Sequence, residues 1–215
     1  MSLMSFVSFM SFVSFVSVLA ACGGSAKQAP RVVQPGAPGE ASRPVAERQA
    51  TAPKHTAADT AFMQGMIGHH AQAIEMVALL KTRTSNPDMK LLGLRIEVSQ
   101  NDEIKMMQTW LREHGEAVPA DHAHHMPGAK LMPGMLTADQ MTRLTAASGA
   151  DFDRLFLELM IQHHEGALAM VKELMASPGA AQESNVFAFV SDVEADQSVE
   201  ITRMRRMRAA MGKQI

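Results

Sequence analysis

Two stretches of this chain present histidine pairs on nearly the same background. Phe62, Met66, Ile67, His69, His70, Ala73, Met76 and Val77 recur as Phe156, Met160, Ile161, His163, His164, Ala167, Met170 and Val171. Asp59 and Asp153 precede the two copies at the same offset. Imidazole nitrogen and thioether sulfur are both metal donors, and thioethers favour soft ions such as Cu(I). The chemistry that these residue types offer is therefore metal binding, with copper ahead of iron, manganese or zinc.

The chain is unusually rich in one of those donors. It has 19 Met, 9 His, one Trp and no Tyr in 215 residues. Part of the methionine must be core filler in place of aromatics. The net charge of -2 excludes a strongly basic nucleic-acid surface. One cysteine, Cys22, permits neither an internal disulfide nor a cysteine-ligated zinc site.

The elements that position the donors read as helices. At about 100° per residue, Met63, Met66, His69, His70, Ala73, Met76 and Val77 share one face. Met160, His163, His164, Ala167, Met170 and Val171 do the same in the second copy. His70 and His164 fall nearest the centre of each stripe. His69 and His163 fall toward its edge, where they are expected to face Glu103 or Glu200. Glu75, Glu158 and Glu165 fall on the opposite side.

A following helix in each half carries Gln-x-x-Glu-Ile-x-x-Met inside its apolar stripe: Gln100, Glu103, Ile104 and Met107, then Gln197, Glu200, Ile201 and Met204. A carboxylate in such a stripe needs a partner, because burying it alone costs several kcal/mol or about that order. The histidines are the candidates. Either His, Gln and Glu form a polar network that fixes helix register, or His and Met bind metal while Glu orients an imidazole. Neither half has a Glu three residues before a histidine of the pair, as a di-iron bundle requires.

Helices are predicted over about 59–84, 87–114, 150–176 and 181–211, with a short one at about 137–147 behind a capping box. The fold class is all-α: a four-helix bundle of two related helical hairpins, 57–115 and 150–212, joined by a long connection. That connection holds His122, His124, His125 and Met126, with Met132 and Met135 beyond, and is an auxiliary metal candidate on composition alone.

Residues 1–21 read as a lipoprotein signal peptide. A short apolar run built on Ser-Phe-Val/Met leads into Leu19-Ala20-Ala21-Cys22. Cleavage there leaves Cys22 as the lipidation site and anchors the protein to a bacterial membrane, facing the periplasm or the exterior. No Lys or Arg precedes Lys27, so the usual basic start is missing. Residues 22–56, rich in Pro, Ala and Gly, read as a tether, and 57–215 as the domain.

At these motifs the chain resembles the bacterial domain-of-unknown-function family 305. The pattern is Asp-x-x-Phe-x-x-x-Met-x-x-His-His-x-x-Ala-x-x-Met, then Gln-x-x-Glu-Ile-x-x-Met one helix later. It occurs twice over roughly residues 57–212, and Met132 to Met135 also matches. The usual Pro before His-His is Gly68 in one copy and Gln162 in the other. The resemblance implies a ferritin-like bundle, usually exported, with some members implicated in copper binding and tolerance.

These readings converge on an extracytoplasmic copper-binding protein for sequestration, tolerance or delivery. Expected metal residues are Met66, His69, His70, Met76, Met160, His163, His164 and Met170. Asp59, Glu103, Met107, Asp153, Glu200 and Met204 are expected around them. The expected partners are copper ions, the membrane through the lipid anchor, and a copper-transfer protein or a second copy of the chain. A di-metal redox enzyme and a metal-free structural module are the alternatives. No nucleophile with a paired base is evident.

Overall fold

The structure is a computed structural model that describes residues 33–34, 36–41, 43–44, 53–120 and 131–212. The expected signal peptide, Cys22 and the cluster His122, His124, His125 and Met126 lie outside the described residues. The chain divides into two units, Met1–Ala50 and Thr51–Ile215.

In the first unit β1 (Val33–Gln34) pairs antiparallel with β2 (Arg43–Pro44). Between them Glu40 N–H donates to the Ala37 carbonyl at 2.8 Å. Pro38 and Gly39 are the central residues, and Gly39 has a φ of 92°. Proline followed by a residue at positive φ is the signature of a type II turn. The tether expected at 22–56 thus contains a short hairpin, written by a Pro-Gly pair rather than by apolar alternation.

The second unit is helical. α1 (Ala57–Arg83) and α2 (Pro87–Glu113) form one hairpin, and α4 (Gly149–Ala176) and α5 (Ser184–Met211) the other. The short α3 (Ala138–Ala146) lies in the connection. Four long helices make the expected bundle. Among the described residues no helix is long and apolar enough to cross a membrane.

Local signals start the helices. Thr56 Oγ1 accepts from Asp59 N–H, and Asp59 Oδ2 accepts from Thr56 N–H at 2.7 Å, closing a capping box. Pro87 stands in the first turn of α2 behind the Asn86 cap. Thr137 and Gln140 box α3.

α1 and α4 are the inner helices. They pack on each other, α2 packs on α1, and α5 packs on α4. Phe62, Met66 and Ile67 share a core cluster with Ala167, Met170 and Val171. Met76 and Val77 share another with Phe156, Leu157 and Met160. The start of α1 therefore meets the end of α4, so the inner pair is antiparallel.

Candidate metal centre

The antiparallel inner pair brings the four histidines into one layer. His69, His70, His163 and His164 are each at most 1% exposed. His69 and His163 meet across the α1–α4 contact, with ring centroids 3.8 Å apart and planes tilted by 42°. His70 turns to α2, where its Nε2–H donates to Glu103 Oε2 at 2.5 Å. His164 turns to α5, where its Nε2–H donates to Glu200 Oε2 at 2.6 Å.

This reverses the expected roles within each pair. The stripe-edge histidines, His69 and His163, do not meet the glutamates; His70 and His164 do. Helical periodicity locates an apolar stripe, but each inner helix has two neighbours. Which neighbour covers which edge is a property of the bundle.

The hydrogen bonds decide where the imidazole lone pairs are. The Pro133 carbonyl accepts from His69 Nε2–H at 3.0 Å. A neutral imidazole carries one proton, so His69 Nδ1 has the lone pair. By the same reasoning the neutral forms of His70 and His164 carry theirs on Nδ1. All three Nδ1 atoms are buried and meet no protein hydrogen-bond partner, and neither does either nitrogen of His163.

Burial also keeps the rings of His69 and His163 neutral. It is the main cause that lowers His69 to a pKa of about 3, aided by the neighbouring His70. Burial likewise pushes His163 well below the usual histidine value, with His69 next in effect. Both rings are therefore unprotonated near neutral pH, as metal ligation requires. Burial by itself would raise the Glu103 carboxyl, but hydrogen bonds from His70 and Ser99 hold it below its ordinary value.

A strap over the layer comes from the connection. Gln72 Nε2 donates to the Leu136 carbonyl at 3.0 Å and Gln72 Oε1 accepts from Leu136 N–H at 2.7 Å. Gln162 Nε2 donates to the Gly134 carbonyl at 3.2 Å, and Gln140 Nε2 donates to Gln162 Oε1. Gly134 has a φ of 78°. A Cβ on Gly166 would lie 2.0 Å from the Pro133 oxygen, so only glycine lets the strap come down onto α4. The Met-Pro-Gly-Met match pointed to this segment; its contact with His69 had no sequence signal.

Asp59 and Asp153 have other work. Asp59 Oδ1 accepts from Ala181 N–H at 2.7 Å, in the turn between α4 and α5. Asp153 Oδ2 accepts from Asn86 Nδ2 at 3.4 Å, in the turn between α1 and α2. Each inner helix thus uses its aspartate to hold the turn of the opposite hairpin. Ten residues of helix, about 15 Å, separate each aspartate from the histidine layer.

The methionines fill the space around the layer. Met66, Met76, Met107, Met160 and Met204 are fully buried and Met170 is 7% exposed. Met66 and Met160 stand one turn before the histidines on their own helices. Gln100 is buried with both amide atoms lacking a protein partner, and so is Gln197 Oε1. Glu103 also lines a cleft of about 680 Å3 between α2 and α5, with Asp192 and Asp196. Burial, and then Glu103 and Glu200, raise the Asp196 carboxyl.

Sequence reasoning passed over one further cluster. His55 Nε2 contacts Glu116 Oε1 at 3.0 Å, His114 Nε2 stands 3.2 Å from Glu183 Oε2, and Trp110 stacks on His114 at 4.3 Å. It joins the segment before α1 to the end of α2 and the start of α5. No periodic pattern marks it, because all its members except Trp110 lie in caps and loops.

Among the described residues, no three His, Cys, Asp or Glu side chains gather closely enough to hold a metal ion. The other donor type on the same helix faces is the thioether of Met66, Met76, Met160 and Met170. That donor set suits copper and does not suit a carboxylate-bridged di-iron or di-manganese pair.

Residues 59–208 match the family Domain of unknown function (DUF305). The chain belongs to that family. The structure is similar to that of a DUF305 protein from Streptomyces coelicolor, with a TM-score of 0.62 at 28% identity over 72% of this chain and 94% of that one. A DUF305 fragment from Deinococcus radiodurans gives a TM-score of 0.60 at 28% identity, over 75% of this chain and 99% of that one. CopM in its Cu(I)-bound form gives 0.56 at 28% identity, over 71% and 96%. CopM is also known in Cu(II)-bound and Ag-bound forms. In sequence, an uncharacterized protein of Acanthamoeba polyphaga mimivirus is 40% identical over 55 residues, 26% of this chain and 36% of that protein.

Proposed function

We propose that this protein binds copper, Cu(I) foremost, in the core of its bundle, for sequestration, tolerance or delivery outside the cytoplasm. The observation that carries the reading is the set of unused imidazole lone pairs on His69, His70, His163 and His164. An unsatisfied buried polar group costs about 1–3 kcal/mol. Two related helices that each retain two such groups are better suited to a ligand than to packing.

His69 and His163 are the central donors, being neutral, buried and adjacent. Met66 and Met160 supply sulfur one turn away, and Met76 and Met170 lie further along the same stripes. Glu103 and Glu200 orient His70 and His164, as carboxylates commonly do for ligating imidazoles. The copper- and silver-bound forms of CopM support the choice of metal. His122, His124, His125 and Met126 add a weaker, auxiliary site.

Export fits the description of the Streptomyces coelicolor relative as a secreted protein. Cys22 is the proposed lipid anchor. Cys22→Ser should release the protein from the membrane fraction, and unchanged fractionation would defeat the anchor.

The deciding experiment is elemental analysis of exported protein with anaerobic Cu(I) titration. Tight Cu(I) binding that is lost in a His69→Leu, His163→Leu variant supports the reading. Full retention of tight binding in that folded variant refutes it.

A further inference from the structure

A second meeting of soft donors lies outside the imidazole layer. Gly65 stands one turn before His69 on α1. A Cβ built there would be 3.2 Å from Met132 Cε, 3.5 Å from Met132 Sδ and 3.5 Å from Met170 Cε. The thioether ends of two methionines, one from the strap and one from α4, therefore meet over bare α1 backbone. Each sulfur is one bond from its methyl group, and any side chain at position 65 would stand in that space.

The place borders a cleft in the surface. Met132 and Met170 line a cleft of about 500 Å3 together with Phe62, Pro133 and Glu173. Glu173 is the charged residue of that lining, and its carboxylate favours cations. Met63, Met66 and Met107, in the same apolar cluster, are fully buried, whereas Met132 is half-buried. The cleft is also joined to the histidine layer: Pro133 follows Met132 directly, and its carbonyl holds His69 Nε2–H.

We infer that Met132 and Met170 form a receiving site for a monovalent soft cation, Cu(I) or Ag(I), which then passes to the imidazole layer one helical turn away. The passage is ligand exchange. A sulfur–metal bond breaks as a nitrogen–metal bond forms, and the metal's oxidation state does not change. Thioethers suit this role because they bind soft ions without needing to lose a proton. The inference rests on the core copper site proposed above.

The test uses the full chain with 13C-methyl methionine. Silver nitrate is added to the His69→Leu, His163→Leu variant, with resonances assigned through Met132→Leu and Met170→Leu. The Met132 and Met170 methyl signals should shift first. In stopped-flow mixing with anaerobic Cu(I), Met132→Leu should slow uptake about tenfold while the final affinity holds. Met132 is half-buried, so this change leaves the fold intact. Unmoved methyl signals overturn the receiving site, and an unslowed uptake overturns the handover. If the wild-type chain lacks tight Cu(I) binding yet both methyl signals still move, the core reading fails and the receiving site stands.

Discussion

His69 and His163 lie ring against ring at 3.8 Å across the contact of α1 and α4, and the two rings are not equivalent. The Pro133 carbonyl fixes the His69 proton on Nε2, whereas His163 has no protein partner at either nitrogen. A pseudo-symmetric pair of helices thus holds an asymmetric pair of donors, because the connection straps only one of them.

That asymmetry makes His163 the sharper probe. His163→Leu replaces an unpartnered imidazole by an apolar group of similar size. The metal-free protein should gain stability, on the order of 1–3 kcal/mol, while tight Cu(I) binding disappears. Melting temperature and Cu(I) affinity of the same preparation check it. A less stable variant that still binds Cu(I) tightly would show that His163 is a packing residue.

Glu103 and Glu200 should behave differently. Glu103→Ala removes the acceptor of the His70 Nε2–H and leaves that buried donor unpaired. We expect a loss of about 1–3 kcal/mol and a fall in Cu(I) affinity of about tenfold or more. Glu103→Gln, whose amide oxygen still accepts, should recover most of the stability. Urea unfolding of the three proteins side by side decides whether the contact orients His70.

The metal-free protein should weaken in mild acid. His69 has a folded pKa of about 3 against an ordinary value of 6.5, and burial lowers His163 in the same direction. Between those values the unfolded chain binds more protons than the folded one, so stability rises with pH. It is complete above about pH 6.5 and declines as the pH falls toward 3. Glu103, also lowered, adds a loss in the same direction as the pH falls through its ordinary value of 4.5. Unfolding midpoints of wild type and of the His69→Leu, His163→Leu variant, followed down from neutral pH, check this. The variant should stay flat in the upper part of the range; equal slopes would contradict buried neutral histidines.

Asp59 should prove structural. Asp59→Ala removes a capping box and the acceptor for Ala181 N–H, at a cost of about 2 kcal/mol. Cu(I) affinity in the folded fraction should not change. A selective loss of metal binding with normal stability would instead return Asp59 to the metal centre.

Much of this was legible in the residues. Asn86-Pro87 and Thr137 with Gln140 mark helix starts through contacts within one turn, and the observed helices begin within about three residues of the predicted starts. The repeated Phe, Met, His-His and Met positions gave the two hairpins and their buried faces, because a helix of known period has a calculable apolar side. Placing Glu103 and Glu200 beside histidines followed from the cost of burying a lone carboxylate.

Other relationships were decided only by the tertiary structure. Which histidine of each pair meets a glutamate depends on where α2 and α4 lie around α1, and no property of α1 alone contains that. The aspartates looked like metal residues because they head each copy of the motif; each instead reaches the turn of the other hairpin. The Pro133 carbonyl on His69 and the two thioethers over Gly65 join segments more than sixty residues apart. Periodicity reports the face that a helix buries. The partner on that face is chosen by the packing of the whole bundle, where close approach at Gly65 and Gly166 admits the strap and the donors it carries.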